Sequence, residues 1–392
     1  MLIDVKSTSD CQALVTRIQQ TLSTNGYNMS RIAETPKPFP ANDNEALEQL
    51  SEAILSIQAT WAYIKRILPS LKGDLFNYDV SKVAALTDSY IQALFSKYRS
   101  RAKARFLEDE LLAIRDNAIV FRQITSSTGG SVCNFIKSYL NIKSYNPSCK
   151  CYIRPDDDAL IRLFTDSNSK FKLRLVGLGI CCEFFKNIGI DEFKPDVHTT
   201  RFLNRVNIDR TKAKVSRNPI DVREIGITVA QTLLKPRAFV DILIWCLCAD
   251  YEGEICTEND PKCYLCKLKD EPELCLGFPN RTQIESNPLG AATRFKECNL
   301  TRTEATKKMV NAGLPQRDTD DIVTKVYGPE RTPKVKWEDI EIFIKANPSR
   351  SAEMMKQSGL SYADTYKYMK KAGLAPDEID RILSKVYSNS EQ

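Results

Sequence analysis

The 392-residue chain has no run approaching about 18 uninterrupted apolar residues, which excludes a transmembrane helix. Its first residues, MLIDVKSTSD, lack the basic stretch and apolar run of a signal peptide. An unexported, cytoplasmic protein with no membrane partner is expected. A decisive charge excess is also missing. The 56 Lys and Arg against 50 Asp and Glu leave +6, a balance that permits nucleic-acid binding without indicating it. Alternating strand-like runs bounded by Gly-rich turns are scarce, whereas apolar residues recur at helical spacing, as in Leu47, Leu50, Ile54 and Ile57. The expected fold class is all-α. Histidine is reduced to one residue, His198.

A chain of this length can build two or three domains. Thirteen cysteines suit neither a small disulfide scaffold nor an even pairing, so a reducing compartment with a few of them on a metal is the simpler expectation. The Pro-rich stretch TPKPFPAND at 35–43 separates an N-terminal helical segment, 1–34, from a helical block opening with NEALEQLSEAILSIQATW. Helices are expected to continue to about residue 122. SSTGGS at 126–131 and a polar loop carrying Cys149 and Cys151 then punctuate the chain. Further on, residues 301–327 match 361–387 at an offset of 60, ten of 27 positions being identical, which is an internal repeat. Met309 and Met369, AGL at 312–314 and 372–374, and the runs ending at Tyr327 and Tyr387 mark each copy as helix, Gly-terminated turn, helix. Another helical stretch is expected from Trp337 to Lys345. The organisation this implies is a segment 1–34 packing with the cysteine-bearing lobe, a core at 35–280 and a C-terminal helical domain at 281–392.

Cys256, Cys263, Cys266 and Cys275 are spaced C-x6-C-x2-C-x8-C in a polar segment with Pro261 and Pro272. Four thiolates this close, on turns, can converge on one metal centre, and apolar packing does not explain cysteines in so polar a stretch. Zinc sites of four cysteines usually come as two CxxC knuckles; only Cys263 to Cys266 forms one here. An iron–sulfur cluster, of the [4Fe-4S] type, is therefore favoured over zinc, the stronger rival, and over four reduced cysteines without a ligand. Upstream, Gly177 and Gly179 flank Leu178 at the junction of two helical patterns. Such a turn lets backbone amides approach a phosphate, although an ordinary tight turn explains it equally when taken alone. Asp196 follows Pro195, where a helix N-cap is the plain reading.

The cysteine spacing resembles the C-x6-C-x2-C-x5-C signature that closes the endonuclease III branch of the helix-hairpin-helix DNA glycosylases, with the last gap three residues longer. The resemblance covers residues 40–280. It implies that the hairpin Gly177, Leu178 and Gly179 grips a DNA phosphate, and that Asp196, in KPDVHTTR at 194–201, is the catalytic carboxylate. It also implies that Gln58, in LSIQATW at 55–61, wedges into the duplex while Trp61 helps line the pocket for the flipped base. A carboxylate suits the chemistry, because cleaving an N-glycosidic bond builds positive charge on the sugar and requires an oriented water. His198 is expected to support Asp196 rather than react. Bifunctional members of the family place a Lys two residues after the second hairpin glycine. This chain has Cys181 there, and Lys186, about 140° further around the helix, does not replace it. Monofunctional hydrolysis leaving an abasic site is thus implied, with DNA containing a damaged or modified base as the partner.

Four other segments, SKVAAL at 81–86, RDNA at 115–118, GSVCNFI at 130–136 and GICCEFF at 179–185, look more like 3-methyladenine DNA glycosylase I. The mixture leaves the substrate open between a lesion and a hypermodified base of foreign (phage) DNA. A non-catalytic DNA- or protein-binding scaffold is the reading from another class. The C-terminal repeats could serve a protein partner or a second DNA contact.

Overall fold

The computed structural model describes residues 2–32, 37–57, 61–102, 106–140, 145–147, 151–153, 158–249, 252–258, 261–271, 274–275, 277–279, 281–328, 341, 344–357 and 360–387. These residues are helical for the most part and fall into two compact units, 1–327 and 328–392. The first unit begins with α1 (Thr8–Thr24), α2 (Asp43–Leu55), α3 (Trp61–Asp74), α4 (Val80–Ala84), α5 (Asp88–Ala102), α6 (Leu107–Thr128) and α7 (Val132–Ser138). It continues through α8 (Ala159–Thr165), α9 (Leu178–Asn187), α10 (Val197–Arg205), α11 (Pro219–Thr232) and α12 (Arg237–Cys248). It ends with α13 (Arg281–Ser286), α14 (Pro288–Glu297), α15 (Arg302–Asn311) and α16 (Gln316–Tyr327). Among the described residues no helix is long and apolar enough to cross a membrane.

Local chemistry sets many helix ends. Asn42 accepts from Glu45 N at 3.0 Å while Glu45 reaches back to Ala41 N at 2.9 Å, so α2 begins with orphan amides satisfied. Asp43 then accepts from Val132 N and Cys133 N at 2.9 and 3.0 Å, starting α7 from a neighbouring helix. Gly129, at φ +66°, terminates α6 in the left-handed conformation, past the stop expected near residue 122.

Buried apolar side chains of the first unit gather into three clusters. The largest joins Leu47, Leu50 and Ile54 of α2 to Ile114 and Phe121 of α6 and to Phe184 and Phe185 of α9. A second joins Leu14, Ile18 and Leu22 of α1 to Phe202 of α10, Val222 of α11 and Leu243 of α12, so the N-terminal helix packs with segments distant in sequence. Phe193 enters that cluster where Gly226 leaves room; a Cβ on Gly226 would stand 2.4 Å from the Phe193 ring.

The all-helical expectation omits one feature. Strands β1 (Tyr145–Asn146), β2 (Cys151–Ile153) and β3 (Ile190–Asp191) form a small sheet, β1 antiparallel and β3 parallel to β2. Strands of two or three residues carry too little alternation to betray themselves. Gly189, at φ +78°, allows the chain at 37–39 to cross beside this sheet, because a Cβ there would come within 2.3 Å of Lys37 O.

The third cluster belongs to a module of α14, α15 and α16. The second unit contains α17 (Pro348–Gln357), α18 (Tyr362–Lys371) and α19 (Pro376–Tyr387). At the offset of 60 the likeness begins before residue 301: Asn287 and Pro288 precede the module as Asn347 and Pro348 do, and Ala292, Lys296 and Leu300 recur as Ala352, Lys356 and Leu360. Ala292, Met309 and Val323 are buried in one; Ala352, Met369 and Leu383 are buried in the other. Lys296 Nζ donates to Val326 O at 2.6 Å and Lys356 Nζ to Val386 O at 2.7 Å. These ammonium groups sit 5.9 and 5.4 Å from the rings of Tyr327 and Tyr387. Each copy is therefore three helices, one more than a helical hairpin. Most of the stretch expected to be helical from Trp337 to Lys345 lies outside the described residues.

Candidate functional site

The cysteine segment folds back on the end of α12. Ile255 N and Cys256 N both donate to Leu247 O, at 2.9 and 3.0 Å, and Cys266 N to Cys263 O at 3.1 Å closes a tight turn. Cys256, Cys263, Cys266 and Cys275 thereby line one cavity of about 30 Å³, walled by Phe202, Leu247, Leu268 and Phe278. From the other side α1 braces the loop: Lys267 N donates to Thr21 Oγ1 at 2.9 Å and Asn25 Nδ2 to Leu265 O at 3.2 Å. Among the described residues no three ligand-type side chains stand close enough together to hold an ion as they are placed. The chemistry of the donors nevertheless fits a thiolate-bound centre.

That fit rests on Arg205. Its residue is 4% exposed, and its guanidinium lies 3.4 Å from Cys256 Sγ, donates to Thr257 O at 2.6 Å and Glu258 O at 3.1 Å, and stacks 3.9 Å from the Phe278 ring centre. Arg201, one turn earlier, donates to Cys256 O at 3.0 Å and Cys248 O at 3.1 Å. Among the described residues, neither guanidinium gives a hydrogen bond to a carboxylate. The buried positive charge of Arg205 is costly without a counter-charge, and a thiolate at Cys256 supplies one. A hydrogen bond from Cys248, together with the charge of Arg205, holds the Cys256 thiol below the ordinary thiol range. Burial pushes Cys266 up to about 11 and Cys275 up to about 12, so a metal binding there would release protons.

The same helix leads to Asp196. Its Oδ1 accepts from His198 N at 2.8 Å and Thr199 N at 2.9 Å, while Asp196 N donates to Thr199 Oγ1 at 2.9 Å, which completes a capping box. The plain reading of Asp196 as an N-cap is realised, and it occupies Oδ1; no described residue donates to Oδ2. His198 Nδ1 shares a hydrogen bond with Arg201 Nη2 at 2.9 Å. One helix of nine residues thus starts at Asp196 and presents Arg201 and Arg205, four apart, to the cysteine loop.

Gly177 is the N-cap of α9, with open space where a Cβ would sit, and Gly179 packs against the Asp196 segment, its Cβ position 3.4 Å from Pro195 O. The turn thus meets the segment that leads into Asp196 through Gly179. The element before them is not a closely apposed helix: α8 ends at Thr165, and turns fill residues 166–177. Lys172 Nζ ties those turns together by donating to Leu173 O at 2.7 Å and Val176 O at 2.6 Å. Trp61 opens α3, half-buried against the first apolar cluster, with Lys65 Nζ 5.8 Å from its ring centre. Gln58 lies outside the described residues.

A buried charge cluster escaped the sequence reading. Lys186 of α9 contacts Asp241 of α12 and lies 3.1 Å from Glu183, which Lys194 approaches at 3.4 Å. Burial would raise Glu183, but Lys186 and Lys194 outweigh it and hold it at about 2. Burial pushes Asp241 up to about 7 against the pull of Lys186, with Asp196 and Glu183 adding to the rise. Glu52 of α2 is raised as well, chiefly by burial. The only local hint was the spacing of Glu183 and Lys186 along α9; Asp241 comes from a separate element. No family model, curated protein or solved structure matches this chain. What the site can do must come from its own chemistry.

Proposed function

We propose that this chain is a monofunctional DNA glycosylase of the helix-hairpin-helix kind, hydrolysing the N-glycosidic bond of a flipped, damaged or modified base to leave an abasic site. The observation that carries the reading is α10: a carboxylate at its start, beside the Gly177 to Gly179 turn, and two arginines further on that hold a four-cysteine loop. The separation of the main apolar core into two clusters supports a two-lobed catalytic core, followed by two helical units of one design, the first within the first compact unit and the second in the other.

Backbone amides at the start of α9 would bind a phosphate of the DNA, Gln58 would fill the gap in the stack and Trp61 would face the extruded base. Asp196 Oδ2 would orient a water whose oxygen attacks C1′. The C1′–N electron pair leaves with the base, which takes up a proton from solvent, while the attacking water loses one to the carboxylate, which returns it to solvent. His198 positions α10 through Arg201. Cys181 is fully buried where a lyase would carry its amine, and Lys186 is committed to Asp241 and Glu183, which favours hydrolysis without strand cleavage. Cys256, Cys263, Cys266 and Cys275 would hold an iron–sulfur cluster, zinc being the alternative; such a centre cross-links the loop. Eleven cysteines, the four of the loop among them, are free thiols, which suits a reducing, cytoplasmic setting.

Asp196→Asn tests the proposal, because Asn caps a helix as well as Asp does and removes only the carboxylate. Genomic DNAs, including phage DNAs with modified bases, are incubated with each protein and released bases identified by mass spectrometry. The variant should bind DNA as before and release base about 100- to 1,000-fold more slowly. Equal release by both proteins would remove Asp196 from the chemistry; no release by either would favour a binding scaffold.

A further inference from the structure

The wall of the cysteine cavity formed by Gly277 and Phe278 lies directly under the first three-helix module. The Phe278 ring packs on Phe295 of α14 at 5.1 Å, and Lys308 Nζ of α15 stands 5.7 Å from it. Arg294 of α14, with a side chain 12% exposed, forks across this wall: Nε donates to Gly277 O at 2.9 Å and Nη2 to Arg205 O at 2.7 Å. It thereby ties the chain just beyond Cys275 to the end of α10. Asn299 adds bonds to Asn204 and to Val215 O, and Lys308 donates to Glu258 O at 3.2 Å, inside the cysteine loop.

The second module supplies the contrast. It keeps the buried Ala, Met and aliphatic positions and the lysine-to-carbonyl clamp, yet at the positions equivalent to Arg294, Asn299 and Lys308 it carries Met354, Gly359 and Tyr368. Met354 is 50% and Tyr368 42% exposed. The residues that fix the first module to the cysteine loop are therefore dispensable for the module's own fold.

We infer that the α14–α16 module is a lid for the cysteine cavity, in which Arg294 and Lys308 hold segment 277–278 over the four sulfurs, Asn299 seats the module on the end of α10, and together they keep chelators and alkylating or oxidising agents away. Its role is retention and shielding of the centre. One of its two readouts rests on the metal reading above; the other does not.

The test is the full-length Arg294→Met/Lys308→Tyr variant, which imports the residues the second module already folds with. The first readout is the rate at which iodoacetamide alkylates Cys256, Cys263, Cys266 and Cys275 in chelator-stripped protein, mapped by mass spectrometry. The second is the rate at which metal, identified by iron and zinc analysis and ultraviolet–visible absorption, passes to excess chelator. Losing two charged anchors should accelerate both by about tenfold to a hundredfold. Met354→Arg/Tyr368→Lys should leave both rates at the wild-type value. Unchanged rates in the first variant would overturn the lid. Faster alkylation in a chain that takes up neither metal would uphold the lid and sink the metal centre instead. If circular dichroism shows that the double variant has lost helix, Arg294→Met alone decides by the same two rates.

Discussion

Glu110, in the first turn of α6, is 0% exposed, and neither carboxyl oxygen has a hydrogen-bond partner. Burial, with a smaller push from Asp109, raises its pKa from 4.5 to about 8, so the folded chain carries it protonated at neutral pH. Its folded pKa lies above the unfolded one. The stability it allows is therefore whole below pH 4.5, where both states hold the proton, and is lost as pH rises toward 8, because unfolding then releases a proton. At about 1.4 kcal/mol per pH unit, the loss is about 3 kcal/mol at pH 7 and about 4 kcal/mol at pH 8, where the folded chain is itself half ionised. Glu110→Gln keeps the shape and polarity and removes the titration. The variant should lie within about 1 kcal/mol of the wild type at pH 5 and exceed it by about 3 kcal/mol at pH 7. Urea unfolding followed by circular dichroism at a series of pH values between 5 and 8 measures this difference. Parallel pH profiles for the two proteins would refute the reasoning, since they would mean that the side chain ionises as freely inside as outside.

Two further outcomes concern packing around the site. Lys186→Met strands Asp241 and Glu183 without their shared cation and should cost about 3–5 kcal/mol, whereas adding Asp241→Leu should recover a good part of it. A double variant no more stable than the single one, in the same urea assay, would show that the pair is not coupled. Gly226→Ala would drive a methyl group to 2.4 Å from the fully buried Phe193 ring and should cost about 1–3 kcal/mol, partly relieved by Phe193→Leu. An unchanged Tm for Gly226→Ala would mean that the ring has room to retreat.

What the sequence disclosed and what it hid divide along a physical line. Helices such as α2 announce themselves because Leu47, Leu50 and Ile54 repeat at the helical period and Asn42 and Glu45 form a local cap. The four cysteines are equally legible, since their spacing is local. Arg205 was invisible: its partners, Cys256, Thr257 and Glu258, lie more than 50 positions away, and nothing in its neighbours separates it from any other helical arginine. The same holds for Asp241 with Lys186, and β2 pairs with β3 across a separation that no local pattern records. The third helix of each module was missed for another reason. Between 287 and 300 the two copies share five of 14 positions, about as large a share as in the rest of the repeat, but these are spread at core and turn positions with no run longer than Asn-Pro.

Asp196 shows how a local and a distant reading can both hold for one residue. Its immediate sequence predicts a cap, and the cap is made, but a cap alone would ask nothing of Arg201 and Arg205, which extend from the same short helix to the cysteine loop. A buried guanidinium and a half-buried one beside it are an expensive way to anchor a nine-residue helix if its only task is packing, since an apolar contact would do the same at lower cost. They make sense if the start of the helix must be held in register against the α9 turn, and if the loop they grip carries negative charge. The first condition is the demand of a positioned carboxylate, where a displacement of about 1 Å can cost a hundredfold in rate. The second is the demand of a thiolate centre. In the proposed reaction the cysteines take no part in bond cleavage, yet their loss should disturb Asp196 through α10 before it disturbs the first apolar cluster, which the helices of the second meet at contacts such as Lys186 with Asp241 and Arg223 with Asp158.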